Sequence, residues 1–136
     1  MSVDANKELV RRFHQAVMTD RKLDDIAKFM SDPLVDHATP GEQLSVEGYK
    51  KSLGAYFEAF PDLKETIADL TGEDDFVVVR VELSGTNSGS FMGAPPSGKA
   101  FSIGSIQTYR VADDKIVERW TFIDLMKLRT QLGIQN

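Results

Sequence analysis

Residues 104–124, which read GSIQTYRVADDKIVERWTFID, decide the fold of this chain. Apolar residues recur through most of this stretch. The tetrapeptide ADDK at 112–115 is typical of a tight turn, because Asp tolerates turn dihedrals and bonds to its own backbone. The pattern predicts two antiparallel strands, 101–111 and 116–123, joined by that turn.

One face of the second strand carries the residues that we expect to be functional. Since side chains alternate between the faces of a strand, this face presents Ile116, Glu118, Trp120, Phe122 and Asp124. Asp124 ends the stripe and also precedes a predicted helix at 125–132, where Asp is a favoured N-cap residue. Its position therefore fits a pocket acid, a helix cap, or both.

Length and composition indicate one ordinary globular domain, residues 1–136, of which 41% are hydrophobic and 27% charged. The chain has no cysteine, which excludes disulfides and thiolate chemistry. A net charge of -5 without a basic cluster argues against nucleic-acid binding. No apolar run approaches the roughly 18 residues of a membrane span, and the charged N-terminal segment has no signal-peptide pattern. We therefore expect a cytoplasmic protein with no membrane partner.

Helical periodicity predicts two helices at the start of the chain, at 4–19 and 22–30. His14 lies beside the apolar stripe of the first helix, and we expect it at the surface or at the boundary of the core. A brief strand is predicted at 34–38. Its alternation places His37 on the same side as Val35, as an interior or loop histidine.

A third helix is predicted at 46–60, capped by the Ser45 hydroxyl and ended before Pro61. Its apolar stripe includes Tyr56 and Phe57. These aromatic side chains either fill the core or form the wall of a cavity for a flat apolar ligand.

Two more strands are predicted at 63–71 and 76–84, with Val77, Val79, Val81 and Leu83 on one face of the second. The stretch that follows, GTNSGSFMGAPPSGK at 85–99, is longer than a routine hairpin loop, and such loops are often functional. Phe91 and Met92 give this loop an apolar tip that suits the mouth of a cavity.

The order of elements predicts an α+β fold, in which helices cover one face of a curved antiparallel sheet. A bent sheet wrapped around a long helix encloses a conical and mostly apolar pocket. Such pockets are the usual sites for small hydrophobic molecules.

Several motifs together resemble the SnoaL-like polyketide cyclases, which belong to the nuclear-transport-factor-two-like, or ketosteroid-isomerase-like, superfamily. The motifs are FPDL (60–63), VVVR (77–80), GTNSGSFMG (85–93), PPSG (95–98), KIVERW (115–120), Asp124 and QLG (131–133). The resemblance implies a cystatin-like cone with a deep apolar pocket. It also implies a homodimer built through the outer face of the sheet, with no metal and no organic cofactor.

The resemblance also implies roles for single residues. Asp124 matches the acid/base of the family, and His37 matches a histidine that often faces the pocket. Asn87 and Gln107 stand where the family pattern has a histidine and a carboxylate. The expected substrate-binding residues are Trp120, Phe122, Asn87, Gln107, Tyr56, Phe57, Phe91 and Met92.

The function implied is acid/base chemistry without a cofactor on a small hydrophobic ketone, through enolate formation followed by aldol-type cyclisation or isomerisation. One alternative is a non-enzymatic dimeric protein that binds a small hydrophobic ligand, which the replacements at Asn87 and Gln107 favour. Another is a hydrolase of the epoxide-hydrolase type, which would use Asp124 with an arginine and a second acid around a water. Arg80 and Glu82 are the candidates only if their face of the strand turns inward.

Overall fold

Residues 2–134 are described by a computed structural model. The elements in chain order are α1 (Val3–Phe13), a π-helical turn (His14–Thr19), a 3-10 turn (Leu23–Asp25), α2 (Ile26–Phe29), β1 (Met30–Asp36), β2 (Gln43–Leu44), α3 (Val46–Ala59), β3 (Lys64–Glu73), β4 (Phe76–Thr86), β5 (Ala100–Ala112), β6 (Lys115–Ile123) and α4 (Leu125–Leu132). The α+β class is confirmed. The helix predicted at 22–30 is shorter, because the chain enters β1 at Met30.

The six strands form one sheet in the order β2-β1-β6-β5-β4-β3. Neighbouring strands are antiparallel with one exception, since β1 runs parallel to β6. The sheet is therefore mixed, whereas the sequence predicted an entirely antiparallel sheet. No hairpin joins β1 to β6, so nothing in the connection forces these strands to run in opposite directions.

The turn between β5 and β6 is a tight hairpin, as predicted. Asp113 and Asp114 adopt φ angles of 51° and 61°. A two-residue hairpin turn that matches the right-handed twist of its strands requires positive φ at both central residues. Asp tolerates positive φ better than most residues.

A β-bulge in β6 decides which of its side chains face the helices. Val111 pairs with Ile116, but the preceding residue, Arg110, pairs with Glu118, so Val117 is an extra residue in the strand. One inserted residue moves all later side chains to the opposite face. The expectation that Ile116 shares a face with Trp120 and its neighbours is therefore wrong.

The main core lies between the inner face of the sheet and helices α1 and α3. Strand β4 contributes its alternating valines, as the sequence predicts, and these are fully buried: Val77, Val79 and Val81. Full burial of one such side chain contributes about 1.5–3 kcal/mol to folding. A second cluster, around Phe60 and Phe101, packs against α4. No helix among residues 2–134 has the length and apolar character needed to cross a bilayer.

Helix α3 begins and ends as its sequence predicts. The Ser45 hydroxyl accepts a hydrogen bond from the Gly48 amide at 2.9 Å, which satisfies a free donor of the first turn. The helix ends before Pro61. It buries Tyr49 and Leu53 toward the sheet and so forms one wall of the interior.

Asn87 anchors the long loop between β4 and β5. Its fully buried carboxamide accepts from the Ser97 amide at 3.0 Å and donates to the Gly89 carbonyl at 2.6 Å, which ties the two ends of the loop together. Within the loop, Phe91 packs on Phe60 with ring centroids 5.0 Å apart, whereas Met92 is exposed.

Gly89 packs closely against the last residues of α3. A Cβ atom at this position would lie 2.3 Å from the Glu58 carbonyl oxygen. Gly89→Ala is therefore expected to lower the free energy of unfolding by about 1–3 kcal/mol, through overpacking against backbone. The measurement is urea denaturation followed by circular dichroism.

The matched control is Gly54→Ala, in the interior of α3, where an added Cβ meets no atom within 4 Å. This variant is expected to be more stable than the wild type by about 0.5–1 kcal/mol, because Ala restricts the unfolded chain. Equal effects of the two substitutions would contradict the close packing of Gly89.

Candidate functional site

A cavity of about 120 Å³ lies between α3, the π-helical turn and the inner face of β5 and β6. Its walls are mostly apolar and include Leu53, Phe60, Leu83, Phe101, Ile103 and Leu128. Tyr56 lines the cavity and is 40% exposed, which places the opening beside its ring. An engineered cavity of about 150 Å³ admits benzene, so this interior fits a group of about one small ring.

The register of β5 against β6 gathers the polar side chains of the cavity into one block. Gln107 lies opposite Thr121, and Tyr109 lies opposite Arg119, all on the inner face. Directly opposed residues in such a pair have Cβ atoms about 4.5–5.5 Å apart. Four polar groups therefore meet on an inner face whose other cavity-lining residues are mostly apolar.

His14 reaches this block from the first residue of the π-helical turn. The Asp20 amide donates to the Gln15 carbonyl at 2.9 Å, which is a hydrogen bond across five residues. Such widened turns are uncommon and often lie at functional sites. The His14 side chain is 2% exposed, so the expectation of a surface or boundary histidine is corrected.

His14 is held between two partners. Its Nδ1 lies 2.5 Å from Glu65 Oε1, and its Nε2 lies 2.9 Å from the hydroxyl of Tyr109. Tyr109 in turn donates to Gln107 Oε1. The phenol oxygen therefore accepts from Nε2–H, and one further proton is shared between Nδ1 and Glu65. Wherever that proton resides, the His14–Glu65 pair carries no net charge.

Glu65 lies on the inner face because it pairs with Leu83 of β4. Its side chain is 2% exposed. A carboxylate this deeply buried is strongly unfavourable without a partner. Glu65 can therefore occupy this buried position only with the His14 imidazole as its partner.

Arg119 and Asp36 form the second buried pair. Arg119 Nη1 lies 2.7 Å from Asp36 Oδ2, and the guanidinium stacks on Tyr49 at 5.0 Å from the ring centroid. The two residues are register partners in the parallel β1–β6 pair, which brings them side by side. Burial opposes the charge of Arg119, but Tyr49, Tyr109 and Asp36 outweigh it and raise the pKa of Arg119 above its ordinary value.

Both tyrosines around Arg119 are neutral phenols. Burial raises the pKa of Tyr49 and raises that of Tyr109 well above the ordinary value, while the positive charge of Arg119 acts in the opposite direction. Neither phenol therefore ionises in the physiological range.

Two of the residues proposed from the sequence line the cavity, namely Gln107 and Tyr56. Phe57 packs on the core and lies under the Arg21 guanidinium, 4.3 Å from its ring centroid. Asn87, Phe91 and Met92 belong to the anchored loop and are not among the lining residues.

Trp120, Phe122 and Asp124 lie outside the cavity, because the bulge turns their part of β6 outward. Phe122 is 66% exposed. Asp124 is exposed and caps α4, where its side chain accepts from the Lys127 amide at 3.0 Å. The expectation that Trp120 and Phe122 surround a buried acid is therefore corrected, whereas the helix-cap interpretation of Asp124 agrees with the structure.

His37 lies on the same outer face and stacks on Trp120, with centroids 4.7 Å apart and planes 10° from parallel. Its Nε2 lies 2.7 Å from Glu118 Oε2, and Arg110 Nε donates to the other oxygen of Glu118 at 2.7 Å. The hydrogen bonds from His37 and Arg110 lower the pKa of Glu118. This cluster forms a surface network, and none of its members is among the residues that line the cavity.

Apart from Gln107, the residues of the polar block and its partners were not proposed as site residues from the sequence. They are His14, Tyr49, Glu65, Tyr109, Arg119 and Thr121. One available signal was the position of His14 directly beside the buried Phe13. Within residues 2–134, no cluster of three or more His, Asp or Glu side chains is arranged as metal ligands.

Tyr109→Phe tests the hydrogen-bonded block. At about pH 7 the variant is expected to lose about 1–3 kcal/mol of unfolding free energy, because His14 Nε2 and Gln107 Oε1 lose their partner. The unfolded chain releases the phenolic proton near the ordinary pKa of 10.0, whereas the folded chain retains it. Each such phenol therefore removes about 1.4 kcal/mol of stability per pH unit above that value.

The variant lacks this contribution, so its stability is expected to fall less steeply than that of the wild type as the pH rises above 10.0. Urea denaturation at neutral and alkaline pH measures both effects. Parallel curves for the two proteins in the alkaline range would show that Tyr109 ionises normally in the fold.

Comparisons with known proteins agree with this architecture. A model of the family described as SnoaL-like polyketide cyclase matches residues 8–132. AclR from Streptomyces galilaeus, a candidate hydroxylase, is 28% identical, with a TM-score of 0.82 and coverage of 97% of this chain and 98% of that chain. IdmH from Streptomyces antibioticus, a candidate polyketide cyclase, is 28% identical, with a TM-score of 0.81 and coverage of 95% and 99%.

A candidate SnoaL-like polyketide cyclase from Jannaschia sp. CCS1 is 27% identical, with a TM-score of 0.85 and coverage of 98% of this chain and 95% of that chain. No curated protein sequence matches the chain. The family match spans nearly all of the chain and confirms the resemblance of the motifs. The chain therefore belongs to the SnoaL-like polyketide cyclase family.

Proposed function

We propose that this protein performs acid/base chemistry on a small apolar ketone without a cofactor, with His14 and Glu65 as the proton-transferring pair. The observation that carries the proposal is the contact of 2.5 Å between these two buried side chains, because His14 lines a cavity that is otherwise mostly apolar and Glu65 lies directly behind it. Acid/base groups buried together in a cleft are candidates for a functional site.

The pair supports proton transfer because the buried carboxylate balances the imidazolium that forms. In the base form the proton that Nε2 donates to Tyr109 has been lost, so Glu65 is ionised, Nε2 of His14 has a free lone pair, and the pair carries one negative charge. Nε2 removes a proton from the carbon next to the carbonyl of the ligand, and the electrons of that C–H bond move to the carbonyl oxygen to give an enolate. The imidazolium that forms is stabilised by the Glu65 carboxylate.

The same pair completes either reaction expected from the family. In a β,γ-unsaturated ketone, return of the proton from His14 to the γ-carbon of the dienolate moves the double bond into conjugation with the carbonyl and so isomerises the ketone. Attack of the enolate carbon on a second carbonyl of the same molecule closes a ring by aldol addition, and the proton from His14 neutralises the new alkoxide. Protons and electrons balance in both routes, so neither needs an oxidant.

Ligand binding without turnover is the second candidate function. Both ring nitrogens of His14 already have partners, Glu65 and Tyr109. A ligand must displace the phenol of Tyr109 before Nε2 can act on it. This observation favours a passive binding protein.

A hydrolase centre on the outer face has less support. Arg80, Glu82 and Asp124 border one groove there. The groove is open to solvent, and Arg80 is already paired with Asp69 at 2.6 Å. An exposed carboxylate of this kind lacks the desolvation that makes a stronger base.

Deuterium exchange tests the proposed chemistry without knowledge of the natural substrate. In D2O the wild-type protein is expected to accelerate deuterium incorporation next to the carbonyl of cyclohexanone, followed by proton NMR. His14→Gln removes the base, and Glu65→Gln removes the balancing charge while keeping the shape. Each is expected to reduce the protein-dependent rate by about 100- to 10,000-fold.

The matched controls lie on the outer face. His37→Gln and Asp124→Asn are expected to retain the wild-type exchange rate, because neither residue lines the cavity. Loss of exchange in Asp124→Asn together with full exchange in His14→Gln would move the chemistry to the outer acid. Binding of cyclohexanone by the wild type with no exchange would establish the passive binding protein.

We also propose that two copies of the chain pair through the outer face of the sheet. This face exposes several large apolar side chains, Phe76, Val78, Ile106 and Phe122. A contiguous exposed apolar surface is typical of an interaction site.

Phe122→Glu tests the pairing, because a charge at a residue that is 66% exposed leaves the core of each chain unchanged. Sedimentation equilibrium is expected to show a dimer for the wild type and a monomer for the variant, with similar thermal unfolding of the separated chains. A monomeric wild type would contradict the proposal.

A further inference from the structure

We propose that Arg119 and Thr121 form a carbonyl-binding subsite in the cavity. A neutral carbonyl oxygen of the ligand accepts one hydrogen bond from Arg119 Nε–H and one from the Thr121 hydroxyl. This inference rests on the proposed function only in that it places the ligand in the same cavity.

The first observation is that both donors are buried without a partner. Arg119 Nε and Thr121 Oγ1 have no hydrogen-bond partner among residues 2–134, although neither atom is accessible to solvent. Both residues line the cavity. Buried donors are nearly always satisfied in native proteins, so each exception requires an explanation. An acceptor atom on a bound ligand supplies the missing hydrogen-bond partner of both donors.

The second observation is the geometry of β6. Positions 119 and 121 lie on the same side of the strand, after the bulge, with Cα atoms about 6.6 Å apart. Opposite them on β5 lie Tyr109 and Gln107, the partners of the proton-transferring pair. An oxygen held by the two donors therefore lies beside the group that exchanges the proton.

The guanidinium is fixed before any ligand binds. Asp36 holds Nη1 at 2.7 Å, and the ring of Tyr49 stacks on the planar group at 5.0 Å. Donors that are already oriented lose little conformational freedom on binding. By contrast, the hydroxyl of Ser105, which lines the same cavity, already donates to the Phe122 carbonyl at 3.0 Å.

The charges of the site select a neutral oxygen. Asp36 already balances Arg119, and the His14–Glu65 pair offers no net positive charge in either of its forms. A carboxylate ligand would add an unpaired buried negative charge, which is unfavourable. A ketone adds no charge at rest, and the negative charge that develops on its oxygen during enolisation is stabilised by the nearby cation.

The size of the cavity narrows the class of ligand. A volume of about 120 Å³ fits about one ring. The substrate class assigned to this subsite is therefore a cyclic ketone, or a larger molecule that inserts one ketone-bearing ring past Tyr56.

Paired ligands test the subsite. Cyclohexanone and methylenecyclohexane have the same shape, but the second carries C=CH2 in place of C=O and accepts no hydrogen bond. Their dissociation constants are measured by NMR titration for the wild type, for Thr121→Val and for Arg119→Lys. The preference for the ketone over the alkene is expected to fall about fivefold in each variant, the effect of one hydrogen bond.

The variants are chosen to keep the fold. Valine has the shape of threonine without the hydroxyl, and lysine retains the charge that pairs with Asp36 but lacks the Nε–H donor. Ser105→Ala is the matched control, because its hydroxyl is already bonded to backbone. Its ketone preference is expected to stay within about twofold of the wild type.

Three results would overturn the subsite. They are an unchanged preference in both Thr121→Val and Arg119→Lys, tighter binding of cyclohexanecarboxylate than of cyclohexanone, and no binding of cyclohexanone at tens of millimolar. The titration detects no proton transfer. A ketone preference without deuterium exchange therefore keeps the subsite and rejects the enzyme, and exchange without a preference does the reverse.

Discussion

Burial of charge only in pairs is the constraint on which the interior depends. Glu65 and Asp36 are removed from water, and each is balanced by one cation or imidazole, His14 and Arg119. Isolated, either carboxylate would be strongly unfavourable in this environment. The helical layer and the sheet must therefore meet in one register, because any other would separate at least one partner from its carboxylate. The cavity lies between these two pairs, so the pairs set the positions of His14 and Arg119 in its wall.

The sequence predicted most of the fold because its signals are local. Alternating valines in β4, the capping Ser45, the hairpin at 112–115 and the final helix all follow from propensity and periodicity within a few residues. The parallel pairing of β1 with β6 was not predicted, since it depends on two segments more than eighty residues apart. Local patterns contain no information about which distant edge a short strand joins.

The site was predicted less well than the fold, and one residue accounts for much of the error. Alternation places Trp120 and Phe122 on the same face as Ile116 only if the strand is regular, and Val117 interrupts it. The bulge places Arg119 and Thr121 on the inner face, where Trp120 and Phe122 were expected. A charged side chain in a strand usually indicates the solvent face, so no local pattern indicated that Arg119 lies inside. Tyr56 was identified because the apolar stripe of its helix is regular, and Gln107 because it stands where the family pattern has a carboxylate.

The separation of the paired charges along the chain has a consequence for the order in which the protein assembles. Asp36 and Arg119 are 83 residues apart, and His14 and Tyr109 are 95 apart. During synthesis on the ribosome, Asp36 emerges long before Arg119, so its carboxylate remains hydrated until β6 leaves the exit tunnel, and the Tyr109 hydroxyl reaches His14 only with β5. The interior therefore closes last, and a nascent chain that stops short of β6 keeps the Asp36 carboxylate in water instead of folding around it.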